Sequence, residues 1–429
     1  MAVGFNPADK FEGSVFSRYL EGVEGFSLTA RKSLGIFQQE GADLTQKSSR
    51  SLSFFTSGTN PGHLTTAKKT AYEKTKLLDK RAVSDRYKTS GTLGEGACSI
   101  VLLGEVGANP AAIKIFKNFS DASLAIFSYR KALKERDILL DLEKRGAPRV
   151  VRLIDFDLNP GSKTCFLVFE YLSGKTLYNH FKSAILPLEE IWSIAWQSLE
   201  TLRFLHENKI IHGDIKPENL IYHLSNRELK FIDFGNAFYL DEKRFDMIST
   251  IQYRAFEIFF GQGSMGENKY GPEIDIWSLG CVLYELYLKN PPFRVHYFKR
   301  YPNQVENVET FRDLIGQMVA VLGEPGLQVL RGLLTAPRLE CFFRKIKGLN
   351  DSIELDPLYP YYEDKGRLKN FIMGWAFQKK DNPKLAEKFA DLIGQMICYS
   401  DRISAQKALQ TYFLAEAVEK VEKSGCCCY

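Results

Sequence analysis

Hydrophobic and polar positions along the chain change their period twice. Residues 1 to about 84 show no sustained periodicity. Stretches such as Ser48-Ser49-Arg50-Ser51 and Ser57-Gly58-Thr59-Asn60-Pro61-Gly62 read as loop. From Tyr87 onward, short β-type runs begin around Ile100–Gly104 and Ala111–Phe116, with a turn predicted at Gly107-Ala108-Asn109-Pro110. A helix is predicted over Ala125–Arg145, where Leu133, Ile138, Leu139 and Leu142 fall at helical spacing. Val150–Ile154 and Cys165–Phe169 are further strand candidates, and this strand-rich unit ends near Glu170. The remainder is mainly helical. Glu190–His206 carries one apolar face built from Ile191, Ile194, Ala195, Leu199, Leu202 and Leu205. Ile274–Leu288 is apolar nearly all round and belongs inside a core. No internal repeat is visible, so the pattern predicts an α+β chain with a small β unit preceding a larger α unit.

Composition changes this picture little. At 429 residues, 45% hydrophobic and 25% charged, the chain is of ordinary globular make-up and long enough for two or three cores. No apolar run approaches the ~18 residues of a membrane-spanning helix. The first residues carry Asp9 and Glu12 without an apolar stretch, so no secretory signal is expected. Ala2 is incompatible with N-myristoylation. A cytoplasmic compartment is the expectation. Charge matters more, because it is uneven. Gly41 to Lys88 holds ten Lys/Arg against four Asp/Glu, an excess larger than the net +5 of the whole chain. Such a basic leader could touch acidic partners or a membrane surface; the plainer reading is a solvated extension. No nucleic-acid partner is expected. Cys98, Cys165, Cys281, Cys341 and Cys398 are scattered without disulfide or zinc spacing.

Four segments carry candidate chemistry. Leu93-Gly94-Glu95-Gly96-Ala97-Cys98-Ser99 lies between two strand-like runs. Its glycines would let backbone amides close over phosphate oxygens, although a plain hairpin turn fits equally well. Lys114 follows Ala112 and Ile113 on a strand; among apolar neighbours its ammonium needs an anionic partner, for which Glu135 is the natural candidate. The strongest segment is His212-Gly213-Asp214-Ile215-Lys216-Pro217-Glu218-Asn219-Leu220. There a carboxylate, a lysine two residues on and an amide five residues on can gather around one transferring phosphate. Asp233-Phe234-Gly235 follows an apolar strand, Leu229–Ile232, and offers a carboxylate suited to a hard divalent cation.

This ordered series resembles the eukaryotic protein-kinase signature set, and the resemblance runs from about Tyr87 to Leu414. Thr250–Glu257 (Thr-Ile-Gln-Tyr-Arg-Ala-Phe-Glu) is similar to the segment that ends in Ala-Pro-Glu. Asp275-Ile276-Trp277-Ser278-Leu279-Gly280 looks like the buried helix that anchors the catalytic loop, and Arg402 like the late arginine that pairs with Glu257. Tyr253-Arg254 and the stretch Leu314–Gly323 resemble the branch of cyclin-dependent, MAP, SR-protein, Clk-like and dual-specificity tyrosine-regulated kinases. The resemblance implies a two-lobed fold: an N-terminal extension 1–84, a small antiparallel β lobe 85–170 with one regulatory helix, a mainly α lobe 171–414 with an insert at about 324–383, and a tail 415–429. It implies ATP and Mg2+ as cofactors and protein serine or threonine hydroxyls as substrates. Leu93, Gly94, Glu95 and Gly96 would cover the phosphates, and Lys114, held by Glu135, would bind them. Val101, Ala112 and Ile221 would enclose the adenine, with Phe169 as gatekeeper and Glu170 to Leu172 as hinge. Asn219 and Asp233 would bind the metal. Asp214 would accept the substrate proton, Lys216 would support the γ-phosphoryl, and Thr250 would bridge the two. Leu139, Leu153, His212 and Phe234 would form the inner stack.

The chain departs from that family in places. Gly213 stands where an arginine usually grips an activation-loop phosphate, and Phe245 and Met247 stand where related kinases carry paired tyrosines. Both departures point to activity without activation-loop phosphorylation. Ser99 replaces the third glycine of the phosphate loop and Cys98 its aromatic tip, which predicts slower turnover. Phe256 replaces the proline of Ala-Pro-Glu and argues against proline-directed specificity. Cys426-Cys427-Cys428-Tyr429 places a cysteine at the prenylation position with poorly fitting neighbours. Unmodified or palmitoylated thiols are the plainer reading; a lipid there, with the basic leader, could give two-signal membrane attachment. The rivals are a pseudokinase serving as a binding scaffold, though no lysine, aspartate or asparagine of the set is missing, and a small-molecule kinase, against which Tyr253-Arg254, Glu257 and the insert argue.

Overall fold

A computed structural model describes Val83, Val329 and residues 86–96, 99–117, 122–158, 165–183, 185–242, 248–260, 270–295, 308–323 and 367–410. The leader before Val83, the Ala97–Cys98 tip, Phe245 and Met247, most of the expected insert and the Cys426–Tyr429 tail lie outside the described residues. Among those described, the chain divides into two compact units. One holds the residues up to Leu133 with Ile154–Phe169; the other holds Lys134–Leu153 and everything from Glu170 on.

The first unit is built on a five-stranded sheet. Its strands are β1 (Lys88–Glu95), β2 (Ser99–Val106), β3 (Asn109–Phe116), β4 (Leu153–Asp157) and β5 (Phe166–Glu170), in the order β1-β2-β3-β5-β4. Strands β1, β2 and β3 pair antiparallel. The side-chain period of two decides what each face carries. Ile100 and Leu102 of β2, Ala111, Ile113 and Ile115 of β3, and Phe166 and Val168 of β5 join Val83 and Tyr87 in one buried cluster. Arg86 reinforces that entry point by pairing with Asp157 at 3.0 Å and lying 5.4 Å over the Phe166 ring. Strand β3 begins earlier than its sequence suggests. With Gly107 at φ +64°, a two-residue turn suffices, so Pro110 already pairs with Glu105. The expected Val150–Ile154 strand is corrected to β4, displaced by three residues. Val150 instead makes a single parallel bridge to Phe231 in the second unit, and Val151 N donates to Phe231 O at 3.0 Å.

Helix α1 (Ala122–Lys144) spans the boundary of the two units in sequence, and its C-terminal half belongs to the second. That second unit continues through β6 (Lys175–Thr176), α2 (Leu177–Ser183), α3 (Leu188–Glu207), β7 (Ile210–Ile211), β8 (Leu220–His223), β9 (Glu228–Phe231) and β10 (Phe238–Tyr239). Then come α4 (Glu273–Leu288), α5 (Val308–Leu322), α6 (Arg367–Lys379), α7 (Pro383–Met396) and α8 (Ala405–Leu409). Among the described residues, no helix is long and apolar enough to cross a membrane. Helix α3 lays its apolar stripe inward as its spacing predicts, with Ile191, Ile194, Ala195, Leu199, Leu202 and Leu205 all buried. Helix α4 is buried over fourteen consecutive residues, Ile274 to Tyr287, which explains an apolar sequence without a polar face. Gly280 is required there, since a Cβ would stand 2.8 Å from Ile397 Cγ1 and 2.9 Å from Met396 Cβ.

Polar groups inside α4 are the costly exceptions: among the described residues Ser278 and Glu285 have partners, while the buried Trp277 indole N–H has none. Tyr253 Oη donates to Glu285 at 2.6 Å, and Ser278 Oγ donates to Tyr253 O at 2.7 Å. Burial pushes the Glu285 carboxyl up to about 7; the Tyr253 bond opposes this and the charge of Glu218 reinforces it. The fold therefore favours the neutral acid. Stability from that preference is complete below the ordinary carboxyl range near ~4.3 and is lost as pH rises through about 7. Glu285→Gln removes this dependence. Relative to wild type, the variant should gain ~3 kcal/mol between pH 4.5 and pH 8 in urea unfolding. A difference independent of pH would show that the carboxyl is charged throughout.

Candidate active site

Within the first unit, the sheet face opposite the buried cluster collects the predicted nucleotide residues. Val101 pairs with Lys114 and Leu103 with Ala112, so all four share that face, and Phe169 joins them because it alternates with Val168. Lys114 is 8% exposed and its Nζ lies 5.4 Å from the Phe116 ring centroid. Gly94 and Glu95 end β1, Leu93 is exposed, and Gly96 N donates to Ser99 O at 2.8 Å to close the turn. Among the described residues, a Cβ on Gly94 would meet nothing within 4 Å, and one on Gly96 only Ser99 O at 3.9 Å. None of those residues crowds either position, which leaves room for a ligand to approach the backbone closely. Lys117, to which the sequence drew no attention, donates to Gly96 O at 2.7 Å and pairs with Glu95 at 3.3 Å. Its only signal was its place three residues beyond Lys114.

The second unit gathers the His212–Leu220 segment around one carboxylate. Asp214 Oδ1 accepts from Thr250 N at 2.9 Å and from Thr250 Oγ1 at 2.7 Å. Its Oδ2 lies 2.9 Å from Lys216 Nζ and 3.4 Å from Asn219 Nδ2. Lys216 Nζ also donates to Thr250 Oγ1 at 3.0 Å, so Thr250 stands between the two charged groups. Burial alone would raise the Asp214 carboxyl, but Lys216 and the Thr250 bond outweigh it and hold the group below its usual range. Lys216 is shifted upward, because Asp214 and Asp233 more than offset its burial. Asn219 Nδ2 donates to Asp214 O at 2.9 Å, which commits the amide nitrogen inward and assigns Oδ1 the acceptor role.

Asp233 adopts a left-handed backbone, φ +63°, and accepts from Gly235 N at 3.4 Å. Aspartate tolerates that conformation better than most residues. A Cβ on Gly235 would stand 3.2 Å from Asp233 Oδ1 and 3.3 Å from Glu135 Oε2, so the fully buried Glu135 carboxylate lies against this turn. His212 and Phe234 pack with ring centroids 4.9 Å apart, and burial holds the His212 imidazole neutral by lowering its pKa. Leu139 and Leu153 are buried in the same unit. Glu170 accepts from Arg152 N at 2.9 Å and pairs with Lys230 at 3.2 Å; Leu172 is half-buried, and Ile221 lies against Gly174. Among the described residues no group of three or more His, Cys, Asp or Glu could hold a metal. The donor set of Asn219 and Asp233 nevertheless fits Mg2+, which takes one or two protein oxygens and completes its shell from phosphates and water.

The His212–Leu220 segment is held in place by Asp275 of α4. Its carboxylate accepts from His212 N and Gly213 N, both at 2.9 Å, and from His206 at 3.0 Å. Gly213 has φ +72°, and its carbonyl accepts from Ser249 Oγ at 2.8 Å. Arg254, fully buried, donates to Ser249 O at 2.8 Å and to Ile248 O at 3.0 Å. Arg402 closes the segment with two bonds to Glu257, at 2.8 and 3.2 Å. Phe256 is buried with its ring 4.7 Å from that of Tyr399, whose hydroxyl donates to Gly323 O at 3.0 Å. His206 and Ser249 were not found from sequence, since neither lies inside a recognisable motif.

Residues 87–414 match the family model described as protein kinase domain. The chain is 31% identical over 250 residues to the human dual specificity protein kinase CLK1, covering 53% of this chain and 49% of that protein. It is 31% identical over 342 residues to serine/threonine-protein kinase ppk5 of Schizosaccharomyces pombe, covering 77% and 36%. It is 27% identical over 367 residues to serine/threonine-protein kinase SSN3 of Yarrowia lipolytica, covering 73% and 85%. The chain thus spans half or less of the length of the first two.

A side chain at position 213 is disfavoured by its backbone and by Asn236 O, which would stand 3.0 Å from a Cβ. Gly213→Ala should cost about 1–2 kcal/mol in urea unfolding, and Gly213→Arg at least as much. An unchanged unfolding midpoint for both would refute the left-handed backbone.

Proposed function

The chain belongs to the protein kinase family, and on that footing we propose that it transfers the γ-phosphoryl group of ATP to serine or threonine hydroxyls of proteins. The observation that carries this reading is the cluster of Asp214, Lys216, Asn219 and Thr250 around one buried carboxylate. Asp214, kept ionised at neutral pH by its neighbours, orients the acceptor hydroxyl and receives its proton. A lowered pKa makes it a weak base, which suits a loose transition state where placement and charge do most of the work. Lys216 balances charge on the moving phosphoryl group. Lys114 takes the nucleotide phosphates, and the amides of Gly94 to Gly96 close over them. Asn219 and Asp233 supply oxygens for Mg2+, which when bound neutralises charge on the phosphate oxygens.

The proposal includes turnover without a phosphate on the activation loop. Its support is Gly213, whose left-handed backbone offers no side chain to grip such a group. Composition supports a cytoplasmic compartment, and the basic leader with Cys426–Cys428 supports a membrane attachment as the subordinate part of the proposal. A scaffold without transfer has no observation in its favour, since Lys114, Asp214, Asn219 and Asp233 are all present.

A radiolabel transfer assay with a generic basic protein tests the reading. Asp214→Asn should lower kcat by about 10^2–10^4-fold while leaving the KM for ATP within about twofold. Wild-type transfer by that variant would defeat the assignment. Nucleotide binding by the wild type without any transfer would favour the scaffold.

A further inference from the structure

In kinases the regulatory-helix glutamate has to stand beside the Asp-Phe-Gly turn, and activation-loop phosphorylation commonly enforces that placement. Here Glu135 lies against Gly235 although Gly213 can hold no phosphate. Something else must fix the C-terminal half of α1, and the second unit contains a set of contacts that does so.

Lys134, Asp141 and Arg145 recur at i, i+7 and i+11, which puts them on one stripe of α1. Lys134 forms an ion pair with Glu242 and its Nζ lies 5.9 Å from the Phe238 ring centroid. Tyr239 Oη donates to Asp141 Oδ2 at 2.9 Å. Arg145 Nε donates to Asp141 Oδ1 at 2.8 Å, and its Nη1 reaches Asn208 Oδ1 at 3.0 Å, at the end of α3. The acceptors and donors opposite the stripe are not free to wander. Strand β10 pairs with β7, Phe238 with Ile211 and Tyr239 with Ile210, directly before the catalytic segment. Leu240 N continues the attachment by donating to Lys209 O at 2.8 Å. Burial, with the Asp141 bond, pushes the Tyr239 phenol up to about 12, so it remains a donor at any physiological pH.

We propose that Tyr239 and Glu242 are positioning residues that fasten α1 to β10 and so keep Glu135 at the Asp-Phe-Gly turn. A carboxylate and a phenol of the chain thereby do what a loop phosphate does in other kinases. This rests on the transfer reading given above. The pair is worth little to global stability: the side chains of Lys134 and Glu242 are 25% and 38% exposed, and such pairs contribute at most ~1 kcal/mol. Its effect is local, on where the helix stands.

The test uses the full chain after phosphatase treatment, with intact mass confirming that no phosphate remains. Amide hydrogen exchange across residues 134–144 is followed without nucleotide, and kcat and KM are measured in parallel. Glu242→Lys should speed exchange there and lower kcat about tenfold, with KM for the acceptor protein unchanged. Adding Lys134→Glu should restore both, because the exchanged charges recreate the ion pair. Tyr239→Phe should give a smaller change in the same direction. An effect of the substitution unconnected with the ion pair would not be rescued by swapping charges. The proposal is overturned if the swapped protein behaves like the single variant. It is equally overturned if Glu242→Lys leaves exchange and kcat at wild-type values, or if dephosphorylated wild type loses its transfer. Should the wild type transfer nothing in any state, the kinase reading falls with it. Exchange raised by Glu242→Lys and restored by the swap would then still establish the fastening of α1.

Discussion

One buried carboxylate organises the helical unit. Asp275 is 1% exposed on a helix buried over nearly its whole length, so its carboxylate must be met by donors. Those donors are two successive backbone amides, at His212 and Gly213, and the His206 ring. Backbone amides in a loop have no ladder of their own, and the carboxylate satisfies both at once. The chain between α3 and β8 is therefore fixed at its midpoint, one residue before Asp214. Without that fixed point, the short contacts from Asp214 to Thr250, Lys216 and Asn219 would have to be gathered from a free loop at the full cost in conformational entropy.

The segment from Ile248 to Glu257 is held by the same logic. Its polar groups are drawn into the core and matched there: Ser249 with Gly213, Arg254 with the carbonyls of Ile248 and Ser249, Tyr253 with Glu285, and Glu257 with Arg402. Each bond is of modest net worth, yet breaking any one leaves a buried group without its partner. Such a segment is either in place or disrupted, with few states between. Phe256 adds an aromatic contact to Tyr399 at a position where the wider family has proline, and it does so inside the core.

Helix α1 is attached differently. Its buried residues, Ile138, Leu139 and Leu142, give it a core, while the Lys134, Asp141 and Arg145 stripe runs along partly exposed ground. Apolar burial is non-directional and leaves a helix free to slide or turn by a few degrees. The polar stripe supplies direction, because hydrogen bonds to Tyr239 and Asn208 are satisfied in one register only.

Local order was legible in the residues themselves. The period of two in β2 and β3 put Val101, Ala112 and Lys114 on one face, and the period of 3.6 in α3 and the all-apolar α4 placed both helices in a core. The spacing of Asp214, Lys216 and Asn219 is likewise a short-range property, since five residues of chain cannot separate them far. Chain-distant partners were beyond that reach. Val150 left its expected strand for Phe231, Lys117 reached back to Gly96, and Tyr239 and Glu242 found α1 about a hundred residues earlier. Periodicity reports which side of an element is apolar, and nothing in it encodes which distant element will meet that side. Even Gly213, plain in the sequence as a missing arginine, acquired its meaning from a backbone angle that Asp275 and Ser249 impose.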